Sequence, residues 1–268
     1  MKVMITGAAG GLGRAMAVEC ARRRYTLFLT DINTATLATI REGLSRRFCA
    51  KIYTESCDLT DSAGVDALMA EIDRLGLRFD MLLNIAGIDY EGGFLRRERE
   101  KIVHIVALND EGTLRVTHAV LQRRNPDARF CIVVVSSLAA LFPMPLKATY
   151  AASKRFLMDF GMALRQELKG QNANVLTLCP GGLSTNDEVC AAILAQGVAG
   201  SLTTNAMERV VRKTLDLAWK GRARYIPGAF NWLLFLLGKA VPASWTAALI
   251  FRRWTQTQKK WLYPTQIP

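Results

Sequence analysis

The sequence is poor in the residues that build metal sites. It has two histidines, His104 and His118, and its six cysteines show neither a CxxC pair nor another metal-ligand spacing. We therefore expect no metal site. Scattered cysteines within apolar segments are typical of free thiols in a reducing compartment. We expect a cytoplasmic protein, because the apolar segment KVMITG follows Met1 directly and does not resemble a signal peptide.

The chain also lacks an apolar run of the length that crosses a membrane, which is about 20 residues. Its longest run, residues 232–238, is followed by Lys239 and Pro242. Acidic residues are missing from the same region, since residues 217–268 contain eight lysines and arginines and no aspartate or glutamate. We expect no nucleic acid partner, because the aromatic residues there lie within apolar segments and form no stacking platform.

Short apolar runs alternate with segments of helical period over the first 220 or so residues. The predicted strands are residues 2–6, 26–30, 51–55, 81–84, 130–136 and 174–179. Strands rich in Val, Ile and Leu with helix-length connections indicate a parallel sheet buried on both faces. The prediction is an α/β fold, a doubly wound (Rossmann-like) parallel sheet with helices on both faces and a C-terminal helical appendage. Residues 1–227 would form a catalytic domain, and 228–268 an apolar, basic extension of it or a lid.

A glycine-rich turn, TGAAGGLGRA, follows the first predicted strand. Its glycines Gly7, Gly11 and Gly13 would allow a tight turn and let the backbone approach a pyrophosphate at a helix N-terminus. Asp31 ends the second predicted strand, where a carboxylate can accept both ribose hydroxyls and repel a 2′-phosphate. This pattern favours NAD over NADP. The alternatives are an ordinary strand-to-helix turn and, for Asp31, a helix N-cap.

Three polar residues indicate catalysis. Tyr150 and Lys154 lie four residues apart in TYAASKRF, so both face one side of a helix. Thirteen residues upstream of Tyr150, Ser137 follows a strand, at the edge of the sheet where ligands bind in such folds. The Tyr–Lys spacing alone can arise by chance. It indicates catalysis only because the other motifs occur in the same sequence.

Taken together, these motifs resemble the short-chain dehydrogenase/reductase family over about residues 1–227. The matching segments are TGxxxGxG (from Thr6), CDLTD (57–61), NIAG (84–87), LNDEG (108–112, with Asn109), the serine at 137, YxxxK (150–154) and PGGLST (180–185). Ile85 departs from the second asparagine of the family's NNAG turn, which puts one local hydrogen bond in doubt.

The resemblance implies hydride transfer between NAD and an apolar or amphipathic secondary alcohol or ketone. Tyr150 would be the general acid and base, with its pKa lowered from about 10 by Lys154. Ser137 would hydrogen-bond the substrate oxygen, and Asn109 would hold a relay water. The residues implied for cofactor binding are Gly7, Gly11, Leu12, Gly13, Asp31, Ile32, Asp58, Leu59, Asn84, Ala86, Gly87, Tyr150, Lys154, Pro180, Gly181 and Thr185.

Two other functions compete with this one. An NAD(H)-binding redox sensor without turnover is the alternative, although a sensor need not keep a proton relay. A nucleotide-sugar epimerase is disfavoured by the wide glycine spacing and the short chain. The family resemblance also implies a homodimer or homotetramer, formed through residues 109–124 and 150–169.

The C-terminal stretch, residues 229–268, is expected to form two short helices broken at GKAVP. Phe230, Leu233 and Leu237 share one face of the first helix, but its other face is apolar too. In the second helix, Phe251 and Trp254 fall on one face by spacing. Three roles are open for this stretch: a lid beside the Tyr150 crevice, a subunit interface, or a peripheral contact with an anionic membrane.

Overall fold

The computed structural model describes residues 1–184 and 203–257 of the chain. These residues contain a seven-stranded, all-parallel sheet of order β3-β2-β1-β4-β5-β6-β7. The strands are β1 Lys2–Thr6, β2 Thr26–Asp31, β3 Ile52–Ser56, β4 Met81–Asn84, β5 Phe130–Val135, β6 Ala173–Leu178 and β7 Arg224–Tyr225. The order reverses between β1 and β4, which is the arrangement of a doubly wound sheet. The predicted Rossmann-like fold is confirmed.

Helices cover both faces of this sheet. They are α1 Gly11–Arg22, α2 Thr34–Phe48, α3 Ser62–Arg74, α4 Arg99–Val106, α5 Thr113–Leu121, α6 Ala148–Glu167, α7 Met207–Trp219, α8 Ala229–Ala240 and α9 Ala243–Thr257. One hydrophobic cluster packs α1, α2 and α7 on one face, and a second packs α3, α5 and α6 on the other. Strands β4 and β5 are buried along their whole length, as central parallel strands should be.

The strand pattern of the sequence matches the structure closely. All six predicted strands occur, and their ends differ from the observed ones by at most one residue. Strand β7 was not predicted, because a two-residue strand carries no readable alternation of side chains. The π-helical turn Ala107–Gly112 between α4 and α5 was also not predicted, and it carries Asn109 and Asp110.

The two C-terminal helices meet at Val241 and Pro242, in the expected GKAVP segment. Helix α8 packs inward through Asn231 and Phe235, which are one helical turn apart and buried. Helix α9 packs inward through Trp254, whereas Phe251 is largely exposed, although spacing groups the two. Among the described helices, none combines the length and the apolar character that crossing a membrane requires.

Helix α6 approaches the sheet closely at Gly161, and this contact predicts a stability change. A Cβ atom at Gly161 would lie 2.5 Å from the buried Oγ1 of Thr177 on β6. We expect Gly161→Ala to lower the free energy of unfolding by about 1–3 kcal/mol through overpacking. The control is Gly43→Ala in α2, where a Cβ meets nothing within 4 Å. That variant should be more stable than the parent by about 0.5–1 kcal/mol. Urea denaturation measures both, and equal shifts would contradict the close contact.

Candidate active site

The predicted site residues collect at the carboxyl edge of the sheet. The glycine turn follows β1, Asp31 ends β2, residues 84–87 end and follow β4, Ser137 follows β5, and Pro180 follows β6. Because the strands are parallel, these segments share one edge, and the reversal of strand order between β1 and β4 opens a crevice there.

The turn after β1 depends on glycines at two places. Gly7 has a φ of +64°, and a Cβ there would lie 2.6 Å from Cα of Ala86. A Cβ on Gly13 would lie 2.0 Å from the carbonyl oxygen of Gly7. Gly11 opens α1, whose first turn has no acidic residue, and Leu12 is buried beneath it. The helix N-terminus therefore presents backbone N–H groups that suit an anion.

Asp31 connects the end of β2 to this turn. Its carboxylate accepts hydrogen bonds from the backbone N–H of Ala9 at 3.0 Å and of Asn33 at 3.1 Å. The N-cap of α2 is Asn33, whose side chain accepts from the N–H of Thr36. The capping alternative for Asp31 is therefore wrong. Ile32, the next predicted contact, exposes 72% of its surface beside the turn.

The segment after β3 is set by a local hydrogen-bond pattern. The carboxylate of Asp58 accepts from both the hydroxyl and the backbone N–H of Thr60, at 2.7 and 2.9 Å. These two bonds hold the pKa of Asp58 below its ordinary value. Leu59 is buried and lies against Gly112 of the π-helical turn. The exposed Asp58 thus faces solvent beside a fixed apolar residue.

The NIAG turn (84–87) is still held by hydrogen bonds although Ile85 replaces an asparagine. The hydroxyl of Thr6 accepts hydrogen bonds from the N–H groups of Ile85 and Ala86, at 3.1 and 3.2 Å. Asn84 is buried, and its Nδ2 donates to Oγ1 of Thr117 on α5 at 2.8 Å. Backbone groups therefore hold the turn against β1, and the side chain of Ile85 packs on the first hydrophobic cluster.

Asn109 is fully buried in the π-helical turn and makes three hydrogen bonds. Its Oδ1 accepts from the N–H of Ile88 at 2.8 Å, and its Nδ2 donates to the carbonyl of Ile88 and to Oγ of Ser153. The hydroxyl of Ser153 in turn donates to the carbonyl of Tyr150 at 2.8 Å. Asn109 thus ties the segment after β4 to α6.

Lys154 reaches the same point from α6. Its side chain is buried, and Nζ donates to the carbonyl of Val135 at 3.1 Å. A Cβ on Gly87 would lie 2.9 Å from Oδ1 of Asn109 and 3.1 Å from Nζ of Lys154. The glycine therefore leaves room for the amide and the ammonium to approach one another.

Ser137 lies beside the phenol of Tyr150, and its hydroxyl lowers the pKa of that phenol. Oγ of Ser137 also accepts from the N–H of Ala139 at 3.1 Å, at the start of the 3₁₀ turn Leu138–Leu141. Nζ of Lys154 lies 5.7 Å from the centroid of the Tyr150 ring. The structure therefore brings together the four predicted catalytic residues, Asn109, Ser137, Tyr150 and Lys154.

A charged group beside Tyr150 was missed by sequence reasoning. Nζ of Lys147 lies 5.5 Å from the Tyr150 ring centroid and forms salt bridges with Asp89, at 2.6 Å, and with Glu91. Burial disfavours the charged lysine, but the two carboxylates outweigh this and hold the pKa of Lys147 above its ordinary value. Lys147 precedes Tyr150 by three residues, at the start of α6. This spacing is the sequence signal that could have placed a lysine beside the phenol.

The pKa of Tyr150 reflects this environment. Burial raises the pKa of the phenol to about 12, and Asp89 adds to the rise. The Lys147 ammonium and the hydrogen bond with Ser137 oppose it, while Glu91 raises it slightly further. The expectation that Lys154 lowers this pKa is therefore wrong for this structure, because burial outweighs the neighbouring positive charge and the phenol stays protonated at neutral pH.

Asp110, next to Asn109, is a second residue that the sequence did not single out. It is buried, and its Oδ1 has no hydrogen-bond partner. Burial raises the pKa of Asp110 to about 7, against the opposing charge of Lys154. Burial lowers the pKa of Lys154 to about 8, and Asp110 is the main charge that opposes the fall. Two coupled groups near the phenol therefore titrate close to neutrality.

The segment after β6 closes the crevice. The carbonyl of Pro180 accepts from the N–H of Leu138 at 2.8 Å, which places it against the turn that carries Ser137. Gly181 has no room for a side chain, since a Cβ would lie 2.0 Å from the carbonyl oxygen of Thr203. Thr185, also predicted to contact the cofactor, lies outside the described residues.

The chain is similar to several known proteins. The family model for short chain dehydrogenases matches residues 1–189. The very-long-chain 3-oxoacyl-CoA reductase of Laccaria bicolor is 30% identical over 176 residues, which cover 64% of this chain and 52% of that enzyme. The chain thus spans about half the length of this relative.

Two solved structures share the fold. A 3-oxoacyl-[acyl-carrier protein] reductase with bound NAD from Brucella melitensis superposes with a TM-score of 0.74 at 28% identity, covering 85% of this chain and 89% of that one. L-sorbose reductase from Gluconobacter frateurii, complexed with NADPH and L-sorbose, has a TM-score of 0.76 at 20% identity. It covers 85% of this chain and 94% of that one, and it shows the shared fold.

The coupling between Asp110 and Lys154 predicts a measurable titration. Replacing Asp110 with asparagine removes the carboxylate that favours the ammonium form, so Asp110→Asn should lower the pKa of Lys154 by about one unit below its parent value. NMR of ¹³C-labelled lysine measures this, with the signal assigned by its loss in Lys154→Arg. The control Glu111→Gln alters the neighbouring exposed carboxylate and should leave the Lys154 titration in place. An unchanged or raised pKa in Asp110→Asn would refute the coupling.

Proposed function

The chain belongs to the short-chain dehydrogenase family of oxidoreductases, and we propose that it transfers a hydride between NAD and an apolar or amphipathic secondary alcohol or ketone. The observation that carries this proposal is the convergence of Asn109, Ser137, Tyr150 and Lys154 at the carboxyl edge of β4 and β5. A serine, a phenol and a lysine at one crevice supply the groups that a carbonyl reduction needs.

The residues at this edge fit a nicotinamide cofactor. The glycine turn and the N-terminus of α1 suit a pyrophosphate, and Asp31 ends β2 where a ribose hydroxyl would be accepted. Asp58 and Leu59 would contact the adenine, and residues 84–87 and 180–181 would line the rest of the cofactor. The cofactor supplies or accepts the hydride when bound. We propose NAD over NADP because the carboxylate of Asp31 would repel a 2′-phosphate.

The protein's own residues would manage the proton. In the reductive direction, Tyr150 donates its phenolic proton to the substrate oxygen as negative charge develops there. Ser137 donates a hydrogen bond to the same oxygen, in a position that its 3₁₀ turn fixes. The ammonium groups of Lys154 and Lys147 stabilise the phenolate that forms. Asn109 would hold a water that links Lys154 to solvent, and the proton lost by Tyr150 would be replaced from solvent along this relay.

The apolar segment beside the crevice supports an apolar substrate. The segment between Ser137 and Tyr150, residues 138–147, packs its apolar residues with Phe235 of α8 and Trp254 of α9. Two of the similar proteins are named for reducing 3-oxoacyl groups, which are ketones on acyl chains. We infer that an acyl-chain ketone or its alcohol is the substrate class.

The assembly and setting are part of the proposal. Phe156 and Phe160 stack on α6 at a centroid distance of 6.1 Å, Phe156 is 42% exposed, and Leu114 on α5 is 36% exposed. These apolar surfaces support a homodimer or homotetramer through residues 109–124 and 150–169. The setting we propose is the cytoplasm, with peripheral membrane contact through residues 229–268. A redox sensor without turnover remains the alternative function.

Turnover should depend on the Tyr150 hydroxyl. We expect Tyr150→Phe to lower kcat by at least about 1,000-fold, because it removes the proton donor, and to leave NADH binding largely intact. Oxidation of NADH with a panel of medium-chain ketones, together with fluorescence titration of NADH, measures both. Tyr53→Phe, on β3 and away from the crevice, is the control. Binding of NADH without turnover of any ketone or alcohol in the parent would favour the sensor.

Cofactor choice should depend on the charge of Asp31. We expect the parent to prefer NADH to NADPH in kcat/KM, and Asp31→Asn to reduce this preference by about tenfold or more, because the 2′-phosphate then meets no carboxylate. Glu55→Gln on the neighbouring strand β3 is the control for a general change of charge. A parent preference for NADPH would overturn the assignment of Asp31.

A further inference from the structure

The outer surface of α8 is apolar and exposed to an unusual degree. Trp232, Leu233, Leu236 and Leu237 recur at the spacing of a single helical stripe, and each exposes about half of its surface. Soluble proteins rarely expose contiguous apolar patches of this kind without a partner. The stripe therefore indicates a surface that something apolar covers.

The outer surface of α9 continues this pattern. Trp245 and Leu249, one helical turn apart, expose 72% and 71% of their surfaces, the highest values among the described large hydrophobic residues of the two helices. Arg252 follows on the same face, one turn beyond Leu249, and is exposed. We call the six apolar residues of the two helices the outer face.

The inner surfaces of both helices are already occupied by the segment that joins Ser137 to Tyr150. Phe235 of α8 packs in one cluster with Ala140 and Met158, and Gly238 lies against the ring of Phe142. Trp254 of α9 packs on Leu146. Because these contacts fix the helices on residues 138–147, the outer face cannot turn inward while they hold.

The charges beside the outer face show which partner fits it better, a second copy of the chain or an anionic bilayer. The chain has no aspartate or glutamate after Asp216, so the two helices offer cations and no anions. A two-fold dimer through this face would place like charges opposite one another, since an isologous interface pairs a surface with itself. An anionic bilayer instead accepts the apolar residues at its acyl boundary, the tryptophans at its interface and the cations at its headgroups.

We propose that the outer face of α8 and α9 seats the protein on the surface of an anionic bilayer, with the Tyr150 crevice directly behind it. An apolar substrate then enters the crevice from the bilayer. The proposed membrane contact, which we call the seat, is argued from the surface of the two helices alone. The route of substrate entry also depends on the proposed function.

Vesicle flotation tests the seat without turnover. The full chain should float with vesicles of phosphatidylcholine and phosphatidylglycerol, but not with phosphatidylcholine alone, and raised salt should weaken binding. The double substitution W245S/L249S should weaken the partition coefficient by about tenfold or more, because it removes two inserted apolar side chains. Arg252→Glu should also weaken it. The matched controls are Val103→Ser, an exposed apolar residue on α4, and Arg41→Glu, an exposed cation on α2, and both should bind like the parent.

Failure of the parent to bind either vesicle would overturn the seat. So would a loss of the dimer in W245S/L249S, measured by light scattering, because a second copy would then be the occupant. Tyr150→Phe should still bind vesicles, so loss of turnover and loss of docking are separable.

A second measurement tests the route of entry. W245S/L249S should lower kcat/KM about tenfold for a long-chain ketone dissolved in anionic vesicles and leave it unchanged for a short, water-soluble ketone. An equal effect on the two ketones would refute entry from the bilayer. If the parent reduces neither ketone yet binds anionic vesicles, the proposed function fails and the seat stands.

Discussion

The burial of the Lys154 ammonium constrains the rest of the site. A lysine removed from water loses hydration that the protein must replace, and an unpaired one would shed its proton. Here the carbonyl of Val135 accepts from Nζ, and the carboxylate of Asp110 supplies opposing charge. Both partners are held by architecture: Val135 ends the central strand β5, and Asp110 lies in a π-helical turn between α4 and α5. The hydroxyl of Ser136 donates to the backbone carbonyl of Lys154 at 2.6 Å, which fixes α6 against β5.

Tyr150 lies between two lysines that differ in their counter-charges. Lys154 is opposed by a buried carboxyl whose pKa is raised, so both groups change charge near neutral pH. Lys147 is held in its charged form by Asp89 and Glu91. One lysine can therefore exchange a proton, and the other keeps a steady positive potential beside the ring. Such surroundings suit the proposed role of the phenol as a proton donor to a substrate oxygen.

The sequence predicted the sheet, the glycine turn and the Tyr–Lys pair because each has a local signature, whereas Asn109 was assigned only through the family resemblance. Buried parallel strands are continuous apolar runs, and the Tyr–Lys pair is a helical spacing. The charged groups around Tyr150 have no such signature. Lys147 meets Asp89 across 58 residues, and only the turn after β4 and the start of α6, packed together, bring them close. Asp110 lies in a π-helical turn, so α-helical spacing does not predict the direction of its side chain.

The orientation of helix α8 also could not be predicted from the sequence. Its hydrophobic residues surround the axis, so apolar pattern alone cannot select the buried side. A polar residue selects it: Asn231 is fully buried, and its Nδ2 donates to the carbonyls of Pro227 and Thr203 at 2.7 and 3.1 Å. These bonds fix the orientation of α8, so that Phe235, one turn after Asn231, is buried and Trp232 and Leu236 are exposed. A helix that is apolar on all sides and anchored on one by a buried amide needs a second apolar environment for the other. The proposed anionic bilayer would supply that environment, and the absence of carboxylates after Asp216 suits its charge.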